Sequence, residues 1–313
     1  MSAPPPKLVV VTNPRSRLNR RRPGLASDLA ARLGSAGAVV SPPDLAALDE
    51  VAPHLGQAEL LGIHGGDGTL HRVLTALHRV EVTPPPLVML RGGTMNIVAD
   101  SLGHRMEAGT TLSHVVEGRP VREEVRHVLE VSLGDQVVVG FLAGGGIISR
   151  FLELYYEREA PTPADAALLL GRGALSAMVG GRTAARLTRP YRGSLTLDGS
   201  AWDGDRWLAV ALGTVEQLGL GFRPFPKVSD HPGQMQVVGI ASGIATLAVE
   251  LPSVFLGRGV RRGGNREGMC RELVLRSDEP IVFMVDGDFH SGSTEVRVRV
   301  GAAVRFVVPD TRR

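Results

Sequence analysis

Residues 62–77 run Gly62-Ile63-His64-Gly65-Gly66-Asp67-Gly68-Thr69-Leu70-His71-Arg72-Val73-Leu74-Thr75-Ala76-Leu77. Three glycines surround one carboxylate, and an amphipathic series follows at once. Glycine lets a backbone take positive φ and approach a ligand closely. Such a turn aims N–H groups at an anion, and a helix N-terminus behind it adds partial positive charge. Thr69 stands at the expected N-cap, ahead of Leu70, Val73, Leu74 and Leu77. Residues 59–63 read as a buried strand end, so strand, glycine-rich turn and helix together read as a phosphate-binding arrangement. A plain tight turn after a strand also uses glycines. The aspartate held between them is what favours phosphate or metal contact. The Walker pattern is excluded, because the only lysines, Lys7 and Lys227, do not follow a glycine, and Gly-x-Gly-x-x-Gly does not fit the stretch. A second candidate is Asp286-Gly287-Asp288, two carboxylates closing the apolar run 282–285. Asp-Gly is also a common turn pair.

These groups need elements to carry them. Residues 8–12 form a β-branched run, as expected of a buried parallel strand, and end at Asn13-Pro14-Arg15-Ser16-Arg17. A helix over 24–37, a strand over 38–40 and a helix over 44–55 interrupted by Pro53 lead to the opening stretch. Beyond that helix, Pro84, Pro85 and Pro86 deliver a buried strand over 87–90 and the loop Gly92-Gly93-Thr94-Met95-Asn96, which opens a helix over 97–103. Alternating short apolar strands and helices predict a doubly wound α/β domain with ligands at the carboxyl ends of its strands. From Arg126 the period changes to strand, with a hairpin turning at Gly134-Asp135. Strands are predicted over 194–197, 207–212, 235–240, 272–275, 281–285, 295–300 and 304–308, making a mostly antiparallel second domain. The domains are predicted as 1–122 and 123–313, the last strand being able to return to the first.

Composition bounds the partners. Of 313 residues, 43% are hydrophobic and 21% charged, an ordinary globular balance. A net charge of +3 gives no general field for nucleic acid. All but two of the 35 basic residues are arginine, and the single cysteine, Cys270, rules out an intramolecular disulfide. The N-terminus runs straight into a strand without a leader pattern, and the longest uncharged apolar run, 237–249, is short of the about 20 residues that span a bilayer. The expectation is a cytoplasmic protein.

Gly65-Gly66-Asp67-Gly68-Thr69 resembles the nucleotide-binding signature shared by diacylglycerol, sphingosine and NAD kinases. Gly92-Gly93-Thr94-Met95-Asn96 is similar to the second signature of the lipid-kinase branch, Gly-Thr-x-Asn-Asp, with Ile97 in place of the aspartate and Asp100 one turn on. The Asn-Glu pair of NAD kinases is absent. Asn13, Pro14 and Ser16 match the family's Asn-Pro-x-Ser-Gly turn, Arg17 replacing the glycine. Asp286-Gly287-Asp288 stands where the family has Asp-Gly-Glu.

The resemblance implies an α/β nucleotide-binding domain followed by an antiparallel β-sandwich, and an ATP-dependent kinase acting on a lipid hydroxyl. It implies nucleotide contacts from Asn13, Pro14, Arg15, Gly65, Gly66, Asp67, Gly68, Thr69, Gly93, Thr94 and Asn96, and a general base at Asp286. Oxygen ligands Asp67 and Asp288 suit Mg²⁺. Gly144-Gly145-Gly146 lies where relatives have a glycine-rich turn, and Leu168, Leu169, Leu170 and Leu175 fall on a segment that suits an acyl pocket or plain core. Residues 211–237 match the family only loosely. Arg258, Arg261, Arg262 and Arg266 suit either an anionic membrane surface or a solvated loop. The alternatives are an NAD kinase and a non-catalytic nucleotide- or lipid-binding relative.

Overall fold

The computed structural model describes residues 8–22, 24–93, 95–150, 189–218 and 222–310. They fall into two compact units, Met1–Val128 with Ala302–Arg313, and Leu129–Gly301. The division lies at 128 rather than 122, and the C-terminal segment belongs to the first unit.

In the first unit, β1 (Leu8–Thr12) is buried at every position, as its unbroken apolar run requires. Then come α1 (Arg17–Arg21), α2 (Leu25–Leu33), β2 (Gly37–Val40), α3 (Leu45–Leu55), β3 (Leu60–Gly65), α4 (Asp67–Arg79), β4 (Leu87–Arg91), α5 (Ile97–Ser101) and α6 (Ala108–Val116). The helix expected to reach residue 37 stops at Leu33, where Gly34 at φ +53 and a short 3₁₀ turn intervene. Pro53 lies in the last turn of α3 without ending it. β2, β1, β3 and β4 pair in parallel in that order, the end of the last strand, β15, joins β4 in parallel through Phe306 opposite Leu87, and β15 also pairs with β5 (Val121–Leu133). Leu8, Val10, Val88 and Leu90 pack against Leu29, Leu33, Ala108 and Leu112 of α2 and α6. Alternation turns Val9 and Val11 to the other face. α3 and α4 pack together, and α4 contacts β3. The chain reverses its direction of winding between β1 and β3, the place where doubly wound sheets bind ligands.

The second unit is β-rich, and its ladders are antiparallel. β5 (Val121–Leu133) enters it and pairs with β6 (Gln136–Gly140) around Gly134 at φ +60. There follow β7 (Leu142–Gly146), β8 (Tyr191–Leu197), β9 (Ser200–Trp202), β10 (Arg206–Trp207), β11 (Ala209–Gly213), β12 (Met235–Ile240), α7 (Ile244–Phe255), β13 (Arg266–Cys270), β14 (Glu272–Val285) and β15 (Asp288–Pro309). One path runs β13-β12-β11-β7-β14-β15. β14 changes partner at a register break after Arg276: Leu273–Ser277 pair with β8, and Phe283–Val285 with β7. Leu195, Leu197 and Leu275 from one side and Val210, Leu212 and Phe283 from the other meet in a single core, which makes the unit a sandwich.

Several expectations change here. Gly144-Gly145-Gly146 is not a turn but the buried centre of the unit, in β7. A Cβ on Gly144 would stand 2.8 Å from the Val210 carbonyl oxygen, so neighbouring strands leave no room for a side chain. The predicted pairs 272–275 with 281–285, and 295–300 with 304–308, are each one long strand. Arg266, read as part of a solvated loop or a membrane-facing segment, instead opens the strand β13, for which no strand was predicted. Leu168, Leu169, Leu170 and Leu175 lie outside the described residues.

Candidate functional site

Three loops leave the carboxyl ends of β1, β3 and β4, and hydrogen bonds tie them together. β3 runs on to Gly65, so the turn expected to contain three glycines is the single residue Gly66, which is the N-cap of α4. Asp67 therefore starts the helix, and Thr69 sits in its first turn instead of capping it. The Thr69 hydroxyl oxygen accepts from Asn13 Nδ2 at 3.3 Å, joining the first loop to the second.

Asp67 joins the second loop to the third. Its Oδ2 accepts the Ile97 N–H at 3.0 Å and its Oδ1 the Val98 N–H at 2.9 Å, so it caps α5 from across the sheet. Burial pushes its carboxyl above the usual carboxylate range, while those N–H groups pull it down and Asp100 adds to the rise. Because Asp67 uses the backbone of residue 97, isoleucine there leaves this bond intact. Asp100, one turn on, pairs with Arg91, which also donates to the His104 carbonyl oxygen at 2.8 Å.

The glycines allow close approach and not positive φ. A Cβ on Gly93 would fall 2.3 Å from Gly66 Cα, and one on Gly65 would fall 2.2 Å from the Thr69 hydroxyl. Asn96 holds a left-handed backbone at φ +51, and its amide closes the third loop on Gly93, accepting the Gly93 N–H at 3.1 Å and donating to the Gly93 carbonyl at 3.0 Å. Pro14 and Arg15 are exposed, and Thr94 lies outside the described residues.

Beneath these loops is a buried polar cluster to which the sequence reading gave no role. Thr12 Oγ1 lies 2.8 Å from His64 Nδ1 and accepts from Asn19 Nδ2 at 2.9 Å, and Asn19 Nδ2 also reaches the Asn13 carbonyl at 2.5 Å. Burial lowers the His64 pKa to about 4, so the ring is neutral. The available signal was a histidine inside an otherwise apolar strand.

In the second unit, Asp286 and Gly287, at φ +45 and +92, form the two-residue turn between β14 and β15. The Asp286 carboxylate bends back to accept the Phe141 N–H at 3.0 Å and the Leu142 N–H at 2.9 Å. Its own N–H donates to the Leu142 carbonyl at 2.9 Å. Gly140 is required there, since a Cβ would meet Asp286 Oδ2 at 2.6 Å. Asp288 pairs with Val285 in the ladder and is half-buried. Among the described residues no three His, Cys, Asp or Glu side chains gather as a metal site. A cleft of about 590 Å³ lies elsewhere in this unit, beside α7.

Residues 7–128 match the diacylglycerol kinase catalytic domain family. The resemblance carried by the glycine motifs is thereby borne out for the segment that holds the three loops, and it is the lipid-kinase branch that matches. No curated protein matches the chain. Among solved structures, a protein from Bacillus anthracis str. Sterne provisionally named a diacylglycerol kinase superposes with a TM-score of 0.69 at 16% identity, over 98% of both chains. A diacylglycerol kinase from the same organism gives 0.63 at 14% identity, over 98% of this chain and 97% of the other. At such identities the likeness is one of fold: α/β first, β-rich second.

Proposed function

We propose that the protein is an ATP-dependent lipid kinase that transfers the γ-phosphoryl group to a hydroxyl of a diacylglycerol- or sphingosine-like lipid. The observation that carries this reading is Asp67, whose carboxylate binds the Ile97 and Val98 N–H groups and so holds the two signature loops as one surface at the winding reversal. In this reading the first turn of α4 and the Gly93–Asn96 loop present N–H groups to the phosphates, and Asn13 and Arg15 flank them. Phosphoryl transfer asks mostly for positioning and charge stabilisation. Asp286 takes the proton of the attacking hydroxyl.

Mg²⁺ suits this donor set as an ion that arrives on the nucleotide, since it commonly keeps several waters and needs only one or two carboxylates. Asp67 in the first unit and Asp288 in the second are the carboxylates whose chemistry suits it, each taken by itself, and it would neutralise phosphate charge. A second reading, a non-catalytic nucleotide- or lipid-binding relative, is favoured by one observation: the Asp286 carboxylate already serves two backbone N–H groups.

Labelled γ-phosphate transfer from Mg-ATP to diacylglycerol, monoacylglycerol, sphingosine and ceramide in mixed micelles tests the proposal, with NAD as the lipid-free control. Transfer to one lipid that is lost in Asp286→Asn supports both reaction and base. Phosphorylated NAD would reassign the substrate, and ATP bound without transfer would favour the second reading.

A further inference from the structure

The helix α7 is apolar on its exposed face, where an ordinary surface helix is polar. Ala245, Val249, Pro252 and Leu256, spaced by four, three and four residues, share one exposed face with Phe255 beside them. Val249, Phe255 and Leu256 are 59%, 50% and 60% exposed. Phe255 is braced edge-on by Phe222, with ring centroids 5.7 Å apart. The single charged residue of the helix, Glu250, is 4% exposed and points inward.

Glu250 there organises a basic loop. Its Oε1 accepts the Arg261 and Arg262 N–H groups at 2.6 and 2.7 Å, and its Oε2 accepts Asn265 Nδ2 at 2.6 Å. Asn265 Oδ1 accepts the Ala241 and Ser242 N–H groups at 3.0 and 2.9 Å, just ahead of α7. The segment 257–265 is thus fixed to the helix it follows. It holds Arg258, Arg261 and Arg262 exposed, and among the described residues their guanidinium groups have no ion pair or hydrogen bond. These three arginines and Val249 line the cleft of about 590 Å³; Lys227 at its edge is already paired with Glu267 at 3.2 Å.

We propose that this face docks the protein on an anionic bilayer, with Val249, Phe255 and Leu256 entering the acyl boundary and Arg258, Arg261 and Arg262 taking lipid phosphates. An apolar helix face rimmed by unpaired cations is the composition that lies in a membrane interface. Guanidinium groups match phosphate oxygens in pairs. A second copy offers this face no surplus of negative charge, since the chain carries a net charge of +3, whereas an anionic bilayer does. The proposal rests on the lipid-kinase reading, which supplies the reason for a membrane.

The test is sedimentation of the full chain with vesicles of phosphatidylcholine alone and of phosphatidylcholine with phosphatidylglycerol, without nucleotide. Binding is expected to the anionic vesicles and to weaken with salt. Combined Arg258→Gln, Arg261→Gln and Arg262→Gln should lower it about a hundredfold. Combined Val249→Ser, Phe255→Ser and Leu256→Ser should remove it with the thermal melt unchanged. Absence of binding to anionic vesicles overturns the proposal, as does binding indifferent to both sets of changes. A dimer in sedimentation velocity that the serine variant dissolves would assign the face to a second copy instead. Phosphoryl transfer to micellar lipid without vesicle binding sinks the docking alone, and vesicle binding without transfer sinks the kinase reading alone.

Discussion

Asp67-Gly68 and Asp286-Gly287 are the same dipeptide at the end of a buried strand, yet opposite geometries hold them. Asp67 begins a helix with ordinary backbone angles, and the nearby glycines are needed because Gly66 and Gly93 nearly touch. Asp286 is itself left-handed, and Gly287 supplies the second positive φ of a tight turn. Both carboxylates do the same job, each accepting two successive backbone N–H groups of another element. An acid beside glycine is here an anchor for backbone before it is anything else, and catalysis has to be shown over and above that role.

The largest expected effect separates the two. Asp286→Asn should lower phosphoryl transfer by roughly a thousandfold if the residue is the base. ATP binding measured on the same variant should persist. An unchanged rate would leave Asp286 as an anchor only.

Asp67→Ala strips two buried N–H groups of their acceptor, and urea melts should register a loss of about 3 kcal/mol. Asp286→Ala should cost a similar amount. If only one of the pair is destabilised, the common anchoring role fails.

His64 supplies a pH test confined to the first unit. Its folded pKa, lowered to about 4, lies below the unfolded value of 6.5, so its contribution to stability is complete above the unfolded value and is lost as pH falls through that window. Urea melts near pH 7 and near pH 5 should differ by about 2 kcal/mol from this group. His64→Asn should remove most of that difference. His104, also lowered chiefly by burial, adds in the same direction, while Asp67, raised by burial, acts with the opposite sign.

Glycine substitutions give the smallest effects and sharpen the contrast. Gly93→Ala should cost about 2 kcal/mol, because its new methyl meets backbone. Gly287→Ala should cost nearer to about 1 kcal/mol, the strain of positive φ alone. A reversal of that order in thermal melts would contradict the assignment of close approach to one region and backbone conformation to the other.

How much was readable follows from the same physics. The parallel strands of the first unit are unbroken apolar runs between helices, and their loops carry glycine at fixed spacing, so strand order aside the arrangement was legible. Thr69 misled because β3 extends two residues past its last apolar side chain, which moves the helix start to Asp67. His64, Thr12 and Asn19 were invisible as a cluster, since they are brought together only by the pairing of β1 with β3. In the second unit, three successive glycines look like a turn, whereas β7 uses them to fit between β11 and β14. The long strands β14 and β15 were each predicted as two shorter ones: β14 carries a register shift between Arg276 and Ile281, where Pro280 falls, and Gly301 lies inside β15 where it leaves the second unit.

The last strand carries a consequence for how the molecule is made. β15 starts in the second unit at Asp288 and finishes in the first, where Phe306 pairs with Leu87 on β4. A ribosome therefore releases β1 to β4 early, but the sheet that holds the three loops stays one strand short until Phe306 and its neighbours emerge. The open flank of β4 in that interval is an unpaired edge, the kind that invites mispairing between chains. A chain cut between Gly301 and Phe306 would keep Asp67, Asn96 and Asp286 and still lack the strand that flanks β4.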